Sequence, residues 1–206
     1  LTKTQRLVVD FSAYFNNYED FIAVKNVVVP YYGEVGADGV QGQLALAALQ
    51  NGDFSGASVR SNSKADVSSY GVGLGLNTKI FDGFDIGLNY TYAKLDFDQA
   101  SDPDFETNFN TPEHKVKFQF GKTNLVKNFG FNINARWQTE YYWQSTFLEG
   151  NVDARTVVDA QINYTIPELK STLKLGGANL GGQEYFSAPG VGAVGSQYFI
   201  SWTINN

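Results

Sequence analysis

Few residues in this chain are equipped for covalent or metal chemistry. His114 is the only histidine and there is no cysteine. Neither a thiolate site, a His-paired metal centre nor a histidine-based triad can therefore be assembled. His114 stands two residues after Pro112 at a loop-to-strand boundary, where a structural polar role is expected. The densest carboxylates lie in LDFDQASDPDFET (95–107), which carries Asp96, Asp98, Asp102, Asp104 and Glu106. Such a run could supply oxygen ligands to calcium, but it lacks the fixed spacing of an EF-hand. A solvated loop is expected instead, and no metal ligand is assigned. GLGLNTKI (73–80) and GGANLGG (176–182) are glycine-rich, yet neither opens a helix after a strand as phosphate-binding loops do. No catalytic residue and no cofactor is assigned, and the chain is not expected to be an enzyme.

The remaining polar side chains fall into rows, and the rows identify the elements that carry them. In FDGFDIGLNYTYAKLDF (81–97), Phe84, Ile86, Leu88, Tyr90 and Tyr92 alternate with Asp85, Gly87, Asn89, Thr91 and Ala93. A period of two marks a strand with two unlike faces. The same alternation recurs around 6–16, 70–80, 115–120, 129–138, 158–166, 173–175 and 198–205, giving eight strands in all. One side of these strands collects Lys79, Lys115, Lys117, Arg136, Gln138, Arg155, Asp159 and Gln161, with Glu140 just beyond. The other side is apolar.

The connections alternate in length. Short ones occur at 81–83, 123–128 and 167–170, and long ones at about 30–54, 98–111, 148–153 and 180–197. All tight turns therefore lie at one end of the sheet. Outer-membrane barrels have this arrangement, with short periplasmic turns and long extracellular loops. A soluble β-sandwich also has alternating strands, but its strands run to about five or six residues, and several here are longer. Aromatics gather toward the strand ends: Tyr14, Tyr18, Tyr90, Tyr92 and 141–143 at one, Phe81, Phe84, Phe129 and Trp202 at the other. They suggest two interfacial girdles. The apolar row is then expected to meet lipid and the polar row a lumen. Gly71, Gly73 and Gly75 on the polar row would leave room for bulk such as a plug, unless they mark a bulge or bend. The most helix-like piece, QLALAALQNG (43–52), is far short of a helical span. Mean hydropathy is -0.25, which a barrel tolerates because only alternate residues touch lipid. The net charge of -6 and the lack of a basic cluster speak against nucleic acid.

Motifs add a resemblance. NTPEHKVKFQFG (110–121), ARWQTEYYWQSTFLEGNVDARTVVDAQINYTIP (135–167) and LKLGGANLGGQEYFSAPGVGAVGSQYFISWTI (173–204) follow one another. In their order and spacing they resemble the C-terminal end of a TonB-dependent outer-membrane receptor. AYFNNYEDFI (13–22) and SNSKADVSSYGVGLGL (61–76) are similar to earlier strands of the same barrel. The resemblance implies an all-β, transmembrane antiparallel β-barrel of about 22 strands enclosing a plug. Residues 1–206 would supply about eight of those strands from its C-terminal part, without the plug or the N-terminal strands. The chain opens at LTKTQRLVVDF with no leader before it, which is expected of a processed chain or an excerpt.

The resemblance implies outer-membrane transport: a receptor importing a scarce solute, integral to the Gram-negative outer membrane. The implied partners are the lipid bilayer, the remaining barrel strands, the plug domain and, through the plug, the TonB complex. A surface lipoprotein over the long loops is compatible with this and has no marker in the sequence. Two alternatives stay open: a receptor-like barrel acting as a structural subunit of an outer-membrane assembly, and a stand-alone eight-stranded barrel that anchors or binds partners. Tyr31, Tyr32, Glu140 and Tyr142 are the candidate substrate contacts. Aromatics at the loop end suit flat or sugar-like ligands, although Tyr31 and Tyr32 could equally serve a girdle, and Trp143 is expected there. The polar row from Lys79 to Gln161 is expected to solvate the lumen or face the plug.

Overall fold

The alternation dictates a sheet whose two faces differ, and the register carries that difference across its full width. The computed structural model describes residues 7–80 and 83–204. Eight strands form one antiparallel sheet: β1 (Leu7–Tyr18), β4 (Val67–Ile80), β5 (Phe84–Asp96), β7 (His114–Val126), β8 (Phe129–Gln138), β11 (Arg155–Ile166), β12 (Ser171–Ala178) and β13 (Gln197–Ile204), adjacent in that order. These are the eight strands expected from the sequence. The sheet stays open, because β1 and β13 are its two edges and do not pair with each other.

Cross-strand partners match apolar with apolar. Phe11 faces Leu74, which faces Tyr90, then Val116, then Trp137. Farther along, Phe131 faces Ile162, then Leu175, then Ile200. No second sheet covers this face among the described residues: Phe118 in the middle of the sheet is 39% exposed and Leu175 is 52% exposed. The largest fully buried apolar side chains are Phe105 and Val67. Phe105 lies in the loops and Val67 at the loop end of β4, so the apolar face is not a hidden protein core. The sandwich alternative fails on this point.

Aromatic bands lie at both ends of the apolar face, with partly different members from those expected. At the short-turn end the Phe84 and Phe120 rings stack at 5.4 Å, Phe131 meets both edge-on, and the Lys122 ammonium lies 4.5 Å over Phe84. Phe129 and Trp202 join this end through pairing with Tyr164 and Leu173; Phe81 lies outside the described residues. At the loop end Tyr92, Tyr70 and His114 cluster, and Tyr90 shares a 2.8 Å hydrogen bond between its hydroxyl and His114 Nδ1. Tyr14 and Tyr18 do not belong here, because their register places them on the polar face. Tyr141, Tyr142 and Trp143 leave the sheet altogether, forming β9 (Tyr141–Trp143) paired with β10 (Gly150–Val152).

The turns are as tight as expected, and the loops are more structured. β7 continues to Val126 past an irregularity after Lys122, leaving a two-residue turn with Asn128 at φ 64°. The connection between β1 and β4 holds β2 (Ile22–Pro30), α1 (Gly39–Asn51) and β3 (Phe54–Asn62). With β6 (Phe105–Glu106) from the next long loop, β2 and β3 form a second sheet ordered β3-β2-β6. α1 ends at Gly52, whose φ of 79° is left-handed and whose N–H bonds the Ala48 and Leu49 carbonyls, as glycine at this position typically does.

The two faces make a direct test. Leu88→Arg, placed on the apolar face of β5, is expected to destabilise the full-length protein in lipid vesicles by about 2–4 kcal/mol. Asn77→Arg, exposed on the polar face opposite Gly87 and Val8, is expected to change stability little. Guanidinium titrations of both variants measure the difference, and equal losses would remove the lipid-facing assignment.

Candidate functional site

The polar face is built by the same register. Asp10, Gly75, Asn89, Lys117, Arg136 and Val157 form one continuous cross-strand row, and Ser12, Gly73, Thr91, Lys115, Gln138 and Arg155 form the next. Lys79 and Asp85 are ion-paired on this face near the short turns. Arg136 donates to Asp159 at 2.9 Å, and the other Asp159 oxygen accepts the Asn179 N–H at 3.0 Å. Arg155 donates to the Phe186 carbonyl at 2.8 Å and lies 4.6 Å over the Tyr185 ring. Gln161 sits between Asn132 and Gly176. All eight expected polar-row residues thus share one face of the sheet.

The glycines of that face serve the wall itself. A Cβ on Gly71 would come within 2.6 Å of the Tyr14 ring, and one on Gly73 within 2.7 Å of Ser12 Oγ. The neighbouring strand fills the room that Gly71 and Gly73 were expected to leave for a plug. Phe199 covers Gly176 in the same way, 2.6 Å from where a Cβ would stand. An aromatic laid across a cross-strand glycine screens its bare backbone.

At the loop end the four expected contact residues are not gathered into one pocket. Tyr31 is 69% exposed, and its N–H bonds the Asp53 carbonyl. The Tyr32 hydroxyl donates to Asp53 at 2.8 Å. Glu140 is exposed between β8 and β9. Tyr142 lines a cavity of about 320 Å³ with Thr107, Phe109, Glu113 and Gln144, and donates to Glu149 at 2.9 Å. None of Tyr31, Tyr32 and Glu140 lines that cavity.

In the acidic loop Asp96, Asp98 and Asp104 are exposed, as a solvated loop requires, whereas Asp102 and Glu106 are buried. Asp102 is 1% exposed and receives the Lys25 ammonium at 2.6 Å. Glu106 is 4% exposed; one oxygen accepts from Asn26, and the other is enclosed without a donor. No group of three or more potential metal-ligating side chains occurs among the described residues. Phe105 anchors the loop between Phe21 and Phe97, and Gln99 Nε2 reaches the Asp102, Pro103 and Phe105 carbonyls at 2.9–3.1 Å. Asn110 and Gln144 exchange side-chain-to-backbone hydrogen bonds at 2.7 and 2.8 Å, tying this loop to the one after β8. Neither Glu106 with Glu149 nor Asn179 was singled out in the sequence. The only signal for Asn179 is its place in GGANLGG, where φ is 53° and the side chain bonds the Gln183 carbonyl.

A two-faced, eight-stranded open sheet with tight turns at one end narrows the comparison to large barrels. The family model described as "TonB dependent receptor-like, beta-barrel" matches residues 2–180. The chain belongs to this family. Its members are receptors and transporters of the Gram-negative outer membrane that work with a plug domain and TonB. Among solved structures, the siderophore receptor PiuA from Acinetobacter baumannii is similar over 62% of this chain and 19% of its own, at 20% identity and TM-score 0.50. The complex of FpvAI with pyocin S2 is similar over 96% of this chain and 25% of that chain, at 11% identity and TM-score 0.61. At these identities the likeness is one of fold, and the chain spans a quarter or less of either structure. No curated protein matches.

The two buried loop carboxyls of this receptor-family wall respond to pH with opposite sign. The hydrogen bond from Lys25 holds Asp102 below the ordinary carboxylate value, so its contribution is present above the ordinary value and is lost as pH falls through the lowered one. Burial, and then the facing Glu149, raise Glu106, so its contribution is present below the ordinary value and is lost as pH rises through the raised one. Hydrogen exchange over 22–30 and 105–106 in the full-length protein is expected to show protection that weakens toward both extremes. Glu106→Gln should remove the upper limb alone and Lys25→Met the lower limb alone; an upper limb that persists in Glu106→Gln would contradict the assignment.

Proposed function

We propose that this chain forms part of the wall of a TonB-dependent receptor that imports a scarce solute across the outer membrane. The observation that carries the reading is the open sheet: an uncovered apolar face, a polar face, and two unpaired edges at β1 and β13. Backbone groups facing lipid must be hydrogen-bonded, so such edges demand further strands to close a barrel. The polar face then lines the lumen, where a plug coupled to TonB would gate passage. The tight turns would lie on the periplasmic side and the structured loops outside the cell.

On this reading the chain does no covalent chemistry. The lumen row from Lys79 to Gln161 solvates the interior and holds the plug. Tyr142, on the cavity between two loops, is the best placed of the four contact candidates; Tyr31 is exposed directly after β2 in the first long loop.

The intact mass of the polypeptide carrying these residues, purified from outer membranes, tests the reading together with solute depletion from the growth medium. We expect a mass several times 22.7 kDa, and at least one solute whose depletion requires both this polypeptide and a working TonB system. A mass near 22.7 kDa, or depletion indifferent to TonB, would overturn it.

A further inference from the structure

Two carboxyls from different loops meet where no cationic side chain reaches them. Glu106 stands on β6 opposite Val24, and the Glu149 that faces it lies just before β10 on the next long loop. Glu106 is 4% exposed. One of its oxygens accepts from the Asn26 amide, and the other is enclosed with no donor. Glu149 is exposed, and one of its oxygens accepts from the Tyr142 hydroxyl at 2.9 Å. Neither carboxyl is ion-paired among the described residues. Lys25, beside Asn26 on β2, bonds Asp102 instead. Facing carboxylates disfavour each other's ionised form, so this pair calls for a proton or a cation between its oxygens.

We propose that Glu106 and Glu149 bind a divalent metal ion of the calcium type, which joins the first three long loops. A divalent ion neutralises both charges, where a shared proton neutralises one. Carboxylate oxygens suit calcium, whose flexible shell takes them singly or in pairs and is completed by carbonyls and water. Water reaches the pair from the exposed Glu149 side. Asn26 is already oriented: its carbonyl accepts from Ser58 at 2.8 Å, so its amide nitrogen holds Glu106 and leaves the second oxygen for the ion. Two carboxylates are fewer than the groups of three that are absent among the described residues, so the ion keeps several waters and exchanges readily. Once bound, it holds Glu149, and through it the Tyr142 hydroxyl, at the wall of the cavity of about 320 Å³. The inference concerns the loops alone and stands whether or not the receptor reading does.

Terbium titration of the full-length protein in detergent, stripped with a chelator, tests the site. Luminescence excited through tyrosine is expected to include a component, from terbium beside Tyr142, that excess calcium removes and that Glu149→Gln lacks. Hydrogen exchange gives a second readout. On the alkaline side, where Glu106 ionises, calcium should restore protection over 105–106 and 141–152 that sodium chloride at equal ionic strength does not. Glu149→Gln, with no facing charge left, should keep that protection without calcium, which also shows that the variant folds. A calcium-sensitive signal equal in the parent protein and Glu149→Gln would put the ion elsewhere and overturn the proposal. Protection in the parent that follows pH and ignores calcium would leave a shared proton as the occupant, and would overturn it too. So would protection restored equally by sodium chloride, since screening alone would then account for it.

Discussion

The backbone hydrogen-bond ladder is the constraint on which the rest of this structure depends. In a hydrocarbon layer an unpaired N–H or C=O costs several kcal/mol, so each strand's place is set by its neighbours before any side chain is considered. In this chain the ladder joins eight strands side by side, with one irregularity between β7 and β8 after Lys122. With register fixed, the two-residue period decides the rest: one slip would exchange the apolar and polar faces of a whole strand. The matched rows from Phe11 to Trp137, from Phe131 to Ile200 and from Asp10 to Val157 show every strand agreeing on one choice.

Because no second layer lies over the sheet's apolar face among the described residues, tertiary packing is displaced to the loop end. There Phe105, Val67 and the β3-β2-β6 sheet form a small compact region. It is fastened by the Lys25–Asp102 pair, the Gln99 contacts and the reciprocal Asn110–Gln144 bonds. Long loops held in this way act as a scaffold, a frequent condition for loops that carry recognition. The polar face is tuned separately. Asn179 and Asp159 connect the β12–β13 loop to Arg136 on the wall.

The eight strands of the large sheet were legible because their pattern is local: each alternates by itself, and tight turns bracket alternate pairs. The strands of the small sheets were not. β6 has only two residues and β9 and β10 three each, too short for a period to appear. β2 is longer, but IAVKNVVVP does not alternate, since the small region it joins lends it different surroundings along its length. The acidic loop was legible only in part for a related reason. Composition counted five carboxylates between 96 and 106, while the fold buries two of them, one against a lysine 77 residues away and the other beside Asn26.

The sequence by itself determined the class of structure, the two faces of the wall and the end at which the turns lie. These follow from periodicity and loop length, which are properties of neighbouring residues. Only the tertiary structure decided which side chains meet across the strands. Register laid Tyr14 over Gly71 and set Lys117 opposite Arg136. Those contacts join residues on different strands, and no local pattern encodes how far one strand has slid along the next.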